Sequence, residues 1–223
     1  MSIYSSQTKY PIFRPLNAEI TEIEYAGQYW RSLYYFNIYR LIVSSSLLII
    51  TWKFQFTHFG SHHFPLFLYA GLGHVLFSSV SMLFIKLRHP GFNWQLALQV
   101  SSDIVFFTIM LYASGGLQSG LGVLLLVSLA GAGLISRGRL ALFFASMATI
   151  GLLLQETYSV LTVDFYSAQY SQAGLLSLAY FAVAWLAHQL AQYTLASEQL
   201  AKERGVDLAN MAQVNQLVIQ DIQ

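Results

Sequence analysis

Residues 174–223 read GLLSLAYFAVAWLAHQLAQYTLASEQLAKERGVDLANMAQVNQLVIQDIQ, and this stretch decides the fold. Its first part, 174–195, is apolar enough for a membrane, with only His188, Gln189 and Gln192 strongly polar. It then turns charged at Glu198, Lys202, Glu203, Arg204 and Asp207, and no proline interrupts it. One rod that leaves the bilayer and continues into water is the simplest reading. Gly205 costs about 1 kcal/mol against alanine, which weakens a helix without ending it.

Beyond the membrane the rod carries a seam. Leu208, Met211, Asn215, Val218 and Ile222 alternate in steps of three and four, the a/d pattern of a coiled coil. Continued backwards, the register gives Arg204, Ala201, Ser197 and Thr194, a more polar seam. Asn215 at an a position is the kind of residue that sets register and strand number. A surface helix packed on its own domain is the alternative, but the chain leaves no soluble domain for it. The expectation is a parallel homodimer.

Composition supports a membrane protein. The chain is 56% hydrophobic and 9% charged, against about 25% charged in soluble domains. The net charge of +1 by itself says nothing about nucleic acid, and with the few charges at the span ends no nucleic-acid partner is expected. With no cysteine, disulfides, thiolate nucleophiles and cysteine metal sites are excluded. The polar lead-in, 1–31, contains Pro11 and Pro15 and no apolar core of a signal peptide. A juxtamembrane helix is expected from about Ala18. Tyr29, Trp30, Tyr34 and Tyr35 cluster where an interfacial aromatic belt belongs.

Six apolar segments, 33–52, 64–85, 94–113, 117–136, 140–158 and 174–195, each approach the 20 or so residues that cross a bilayer. The expected fold is therefore all-α and polytopic. It has an N-terminal segment (1–31), a six-helix transmembrane domain (32–195) and a cytoplasmic signalling helix (196–223). Lys9, Arg14, Arg31, Lys86, Arg88, Arg137, Arg139, Lys202 and Arg204 all fall on one side of that threading. The positive-inside rule puts this side, with both termini, in the cytoplasm.

Charges within spans are costly and are functional hypotheses by default. Arg40 shares a helix face with Asn37 and Ser44, and Asp103 shares one with Gln95 and Gln99. Spans one and three run in the same direction, and the two charges differ in depth by about 3 Å. An ion pair is geometrically open; so are a snorkelling Arg40 and a protonated Asp103. His74 lies on a small-residue stripe with Ala70, Gly71 and Ser78, which suits a hydrogen bond across a helix interface. Glu156, near the outer end of span five, is expected within reach of water. Ser128, Gly131, Ala132, Gly133 and Ser136 in span four, and Ala141, Ala145 and Thr149 in span five, form small faces that allow close approach. Either face is a candidate for receiving the apolar helix of a partner.

Two chemistries are weighed and set aside. His58, His62 and His63 on the first outer loop offer an incomplete zinc ligand set, with no carboxylate or cysteine nearby. Ser119-Gly120 with Ala187-His188 looks like the serine and histidine of rhomboid proteases. The serine sits at the rim, however, and the histidine about 21 Å into span six, whereas nucleophile and base must come within about 3 Å. A stand-alone transporter or channel would call for broken helices, yet prolines are confined to Pro11, Pro15, Pro65 and Pro90, in loops or at span ends.

Ser102-Asp103-Ile104, the run Tyr112-Ala113-Ser114-Gly115-Gly116, then Ser119-Gly120-Leu121-Gly122, Arg139 and Glu156 resemble the membrane domain of the PilS-type sensor histidine kinases of type IV pilus two-component systems. Ala196-Ser197-Glu198, the run 204–210 and the run 215–220 extend that resemblance through the exit helix. The resemblance implies an input module in the bacterial inner membrane that senses pilin. A PAS domain and a kinase region would follow, at about the point where these residues stop. It implies no cofactor here, with ATP and Mg belonging to the kinase region, and a response regulator as downstream partner. No phosphoacceptor histidine box or nucleotide-binding glycines are present, so no catalytic residue carries over.

Overall fold

The structure is a computed structural model that describes residues 16–53, 59–136, 140–163 and 167–221. Six α-helices account for most of them: α1 Leu16–Lys53, α2 Phe64–Leu87, α3 Phe92–Ala113, α4 Gly122–Ile135, α5 Leu140–Thr162 and α6 Tyr170–Asp221. Five contain stretches long and apolar enough to cross a membrane. The chain is a multi-pass, all-helical membrane protein.

The surface is inverted relative to a soluble domain. Ile42, Ile49, Trp52, Tyr69, Leu76 and Leu83 face outward, while Asn37, Arg40, Ser44, His74, Gln99 and Asp103 are buried. Hydrocarbon around the bundle makes outward leucines cheap and outward polar groups expensive, so the polar stripes turn inward.

Three boundaries differ from the sequence reading. The juxtamembrane helix and span one are a single 38-residue helix. Gly27 is the one glycine within it, and its small helix penalty is outweighed by the neighbouring turns. Span six starts earlier than expected, at Tyr170, and the carbonyl of Gln169 already accepts the first helical hydrogen bond from the Ala173 amide at 2.9 Å. Span four is shortened. A 3-10 turn, Gly116–Ser119, precedes α4, and Gly115, Gly116 and Gly120 all hold positive φ, between 72° and 86°. That left-handed backbone comes at little cost only to glycine and prevents one helix from running through 117–136. At 14 residues α4 is about 21 Å long, short of the roughly 30 Å of hydrocarbon. Buried Gly116 and Leu117 carry part of the remaining depth inside the protein, where irregular backbone is tolerated.

Helix α3 is shared by two groups. It packs with α1 and α2 on one side and with α4 and α5 on the other. Glycines set the closest approach. A Cβ on Gly133 of α4 would lie 2.8 Å from the Ala184 carbonyl oxygen and 2.9 Å from Ala187 Cβ on α6. Tyr180 on α6 donates its hydroxyl to the Gly122 carbonyl at 2.9 Å. The small faces expected to receive a partner are thus used within the bundle: Ser128, Ala132 and Gly133 on α4, and Ala141 and Ala145 on α5, are all buried. Small residues allow backbones to close up, and here the nearest backbone is the chain's own.

Helix α6 runs 52 residues without a break, about 78 Å. Gly205 lies within it, and a Cβ added there would meet nothing within 4 Å. Leu208 and Met211 are 68% and 70% exposed, so the start of the expected seam has no partner within this chain. The side chains of Asn215 and Val218, and all of Ile222, lie outside the described residues.

Candidate functional site

Three polar stripes meet where α1, α2 and α3 adjoin. Asn37, Arg40 and Ser44 come from α1, His74 and Ser78 from α2, and Gln99, Ser102 and Asp103 from α3. Arg40 is fully buried, as are Asp103 and His74. Arg40 Nε donates to Asp103 Oδ1 at 2.6 Å. Its Nη2 donates to Ser102 Oγ at 2.7 Å, and its Nη1 to Asn37 Oδ1 at 3.3 Å. The guanidinium carbon also lies 5.7 Å from the centre of the Phe77 ring, within cation–π range. Of the openings left by the sequence, the direct contact is the one adopted, and Arg40 does not reach for the interface.

His74 closes the cluster. Its Nε2 is 2.8 Å from Asp103 Oδ1 and 3.4 Å from Arg40 Nη2, and its Nδ1 is 2.6 Å from Ser44 Oγ. Ser44 Oγ is also 2.7 Å from the Arg40 carbonyl. A neutral His74 with its proton on Nε2 donates to Asp103, and the single hydroxyl hydrogen of Ser44 serves either the Arg40 carbonyl or Nδ1. With Arg40 and Asp103 charged, the cluster is then net neutral, the least costly state in hydrocarbon; the tautomer is assigned from this network. Phe106 and Phe107 flank the imidazole, with ring centres 5.3 and 5.1 Å away.

Asn37 ties the cluster back to α2 by donating to the Ser78 carbonyl at 3.0 Å. Asp103 uses only Oδ1; Oδ2 is buried and has no hydrogen-bond partner. Ser44, His74 and Asp103 are linked in series as a hydroxyl, an imidazole and a carboxylate, but all three are buried. The arrangement is a polar latch between three helices, suited to holding one packing of the bundle.

The sequence left contact between Arg40 and Asp103 open and treated His74 as a separate packing residue. The missing signal was depth. Counted from the shared inner end, 64–85 in span two, His74 lies at a level similar to the other two, although its helix runs the opposite way.

Glu156 corrects an expectation. It is fully buried, not open to water, and its Oε1 accepts the Gln169 backbone N–H at 2.6 Å. Gln169 immediately precedes α6, so the carboxylate lies at the positive end of that helix's dipole, which offsets its burial. Sequence could not show this, because Glu156 and Gln169 stand 13 residues apart and belong to different elements.

Between α1 and α2, His62 and His63 donate their backbone N–H groups to the Ala113 carbonyl, and their rings pack on Tyr112. His58 lies outside the described residues, and no metal-binding group of three or more His, Asp or Glu forms among the described ones. Ser119 Oγ is bonded to the Gly116 carbonyl at 2.8 Å, whereas His188 lies against Gly133 at the far end of α4.

The family described as PilS-like transmembrane domain matches residues 22–201. The chain is 35% identical over 119 residues to the sensor protein kinase PilS of Pseudomonas aeruginosa. That alignment takes in 53% of this chain and 22% of the length of that relative. No solved structure matches the chain. With the family covering both the three-helix latch and the exit from the bundle along α6, the chain belongs to the PilS-like transmembrane domains.

Proposed function

We propose that this bundle is the membrane input domain of a two-component sensor histidine kinase. It responds to a signal within the bacterial inner membrane, and α6 carries that response to PAS and kinase domains in the cytoplasm. The observation that carries the reading is the continuity of α6: one helix packs on α4 and α5 and extends far beyond both. A displacement of its membrane half therefore moves its distal half as a rigid element.

In this reading both termini are cytoplasmic and α6 pairs in parallel with a second copy along Leu208, Met211, Asn215, Val218 and Ile222. The membrane helix of pilin is the signal, lipid is the solvent, and a response regulator that controls pilin transcription is the output. ATP and Mg are required only by the kinase region. With the faces of α4 and α5 internally occupied, an opening for an apolar helix is a groove of about 680 Å³ along α3 and α5, lined by Ile109, Gly151, Leu154 and Leu161 with Leu66 of α2 at its side. The Arg40–His74–Asp103 latch is the bistable element: its rupture frees α1 and α2 to repack against α3.

The test replaces Asp103 with Asn in the full-length protein and follows pilin-promoter output at high and low pilin. Output that no longer distinguishes the two levels is expected. Unchanged output at both levels removes Asp103 from the signalling path.

A further inference from the structure

We propose that the crevice between α2 and α3 is a one-sided aqueous path that brings water and protons from the end of the bundle where α6 exits to the buried Asp103. The crevice, about 160 Å³, is lined almost wholly by apolar atoms, from Phe77, Ser81, Phe84, Pro90, Gln95 and Gln99 among others, and Asp103 lies one turn of α3 beyond it. The crevice lies where α2 hands over to α3, at the same end as the start of α3. Its volume has room for several waters at about 30 Å³ each.

The acceptors along it are the stronger argument. Gln95 Oε1, Gln99 Oε1 and Asp103 Oδ2 are all buried and all lack a hydrogen-bond partner. They occupy positions i, i+4 and i+8 of α3, one stripe with steps of about 6 Å. One water donating at about 2.8 Å to each of two acceptors spans about 4.5 Å, so each step takes one or two waters. Left dry, each buried acceptor would cost about 1–3 kcal/mol, and three in a row on one stripe is a poor way to build a dry core.

The orientation of Gln95 is fixed by its other contacts. Its Nε2 donates to the Phe84 carbonyl at 2.8 Å and the His89 carbonyl at 3.1 Å, so the oxygen is the atom left for an outside donor. Acceptors without matching donors call for a ligand that donates, and water and hydronium fit a narrow crevice with largely apolar walls.

The path is closed beyond Asp103. His74 is packed against Phe106 and Phe107, and buried Phe107, Met110 and Leu111 continue α3 away from the crevice. The charged and titratable groups facing Asp103 are Arg40 and Tyr39 from α1 and His74 from α2. Among the described residues no hydrogen bond or ion pair reaches it from α4 or α5. A proton passed on from Gln99 would have Oδ2 as its acceptor on Asp103, the oxygen that neither Arg40 nor His74 holds.

Two measurements on the chain in a lipid bilayer test this. Water-edited solid-state NMR of the unmodified protein should show the Gln99 carboxamide and the Asp103 carboxyl receiving water magnetisation as quickly as interfacial side chains. Build-up as slow as at Leu129 in the dry core would overturn the path. Because the chain has no cysteine, Ser81→Cys and Leu129→Cys supply single thiols, and a thiol reacts only as its thiolate, which needs water. A charged methanethiosulfonate added on the α6-exit side should modify Ser81→Cys about tenfold or more faster than Leu129→Cys. Equal rates, or modification only from the opposite side, would refute the one-sided path.

Discussion

Arg40 and Asp103 meet through a single N–H···O contact, Nε to Oδ1 at 2.6 Å, although a guanidinium and a carboxylate can form two such bonds side by side. The second half of that fork goes to Ser102, while His74 on α2 shares the same Asp103 oxygen. The latch is therefore distributed over three helices, and α1 is held to α3 partly through α2.

Asp103→Leu leaves Arg40 charged, buried and without its acceptor, and should cost about 3–5 kcal/mol. Arg40→Met with Asp103→Leu replaces the pair by apolar side chains and should recover most of that loss. Unfolding titrations in detergent micelles measure both. A double variant no more stable than Asp103→Leu alone would show that the pair is not what the single change breaks.

Two glycine-to-alanine changes should act with opposite sign. At Gly133 the new methyl would meet backbone and Cβ atoms of α6 under 3 Å away, so α4 and α6 must part, at about 1–3 kcal/mol. At Gly205 nothing lies within 4 Å, and alanine should gain about 1 kcal/mol of helix stability. Hydrogen exchange across α6 distinguishes them: slower around residue 205 in one variant, faster around 184 in the other.

Glu156→Gln keeps the shape but removes the charge beneath the start of α6. The expected loss is about 1 kcal/mol. Exchange at the Gln169 amide, which the carboxylate accepts, should accelerate while α2 amides are unaffected.

Met211→Cys should crosslink symmetrically between two copies, and Val206→Cys, a neighbour off the seam, should crosslink less. Both side chains are exposed in the single chain, so intrinsic accessibility does not separate them. Equal yields would indicate collision instead of a parallel seam.

The cluster shows how far sequence reading reaches. The stripes of α1 and α3 were legible because i, i+3 and i+4 spacing places residues on one face in any helix. Depth alone would have made His74 a candidate, but joining it to them also required the rotation of α2 about its axis, which local spacing leaves open. Glu156 misled for a related reason. Its position near a helix end suggested water, but a second helix terminus was folded over it.

The sequence by itself determined that the protein is helical and membrane-embedded, that Arg40 and Asp103 lie at similar depth, and that nothing interrupts the chain from 174 onward. These follow from composition, length and periodicity, all properties of contiguous residues. Only the tertiary structure decided the three-way contact of Arg40, His74 and Asp103, the close approach of α4 to α6 at Gly133, and the short α4 after a glycine turn. Each depends on packing between distant segments, where rotations and separations are set by the fit of all six helices at once.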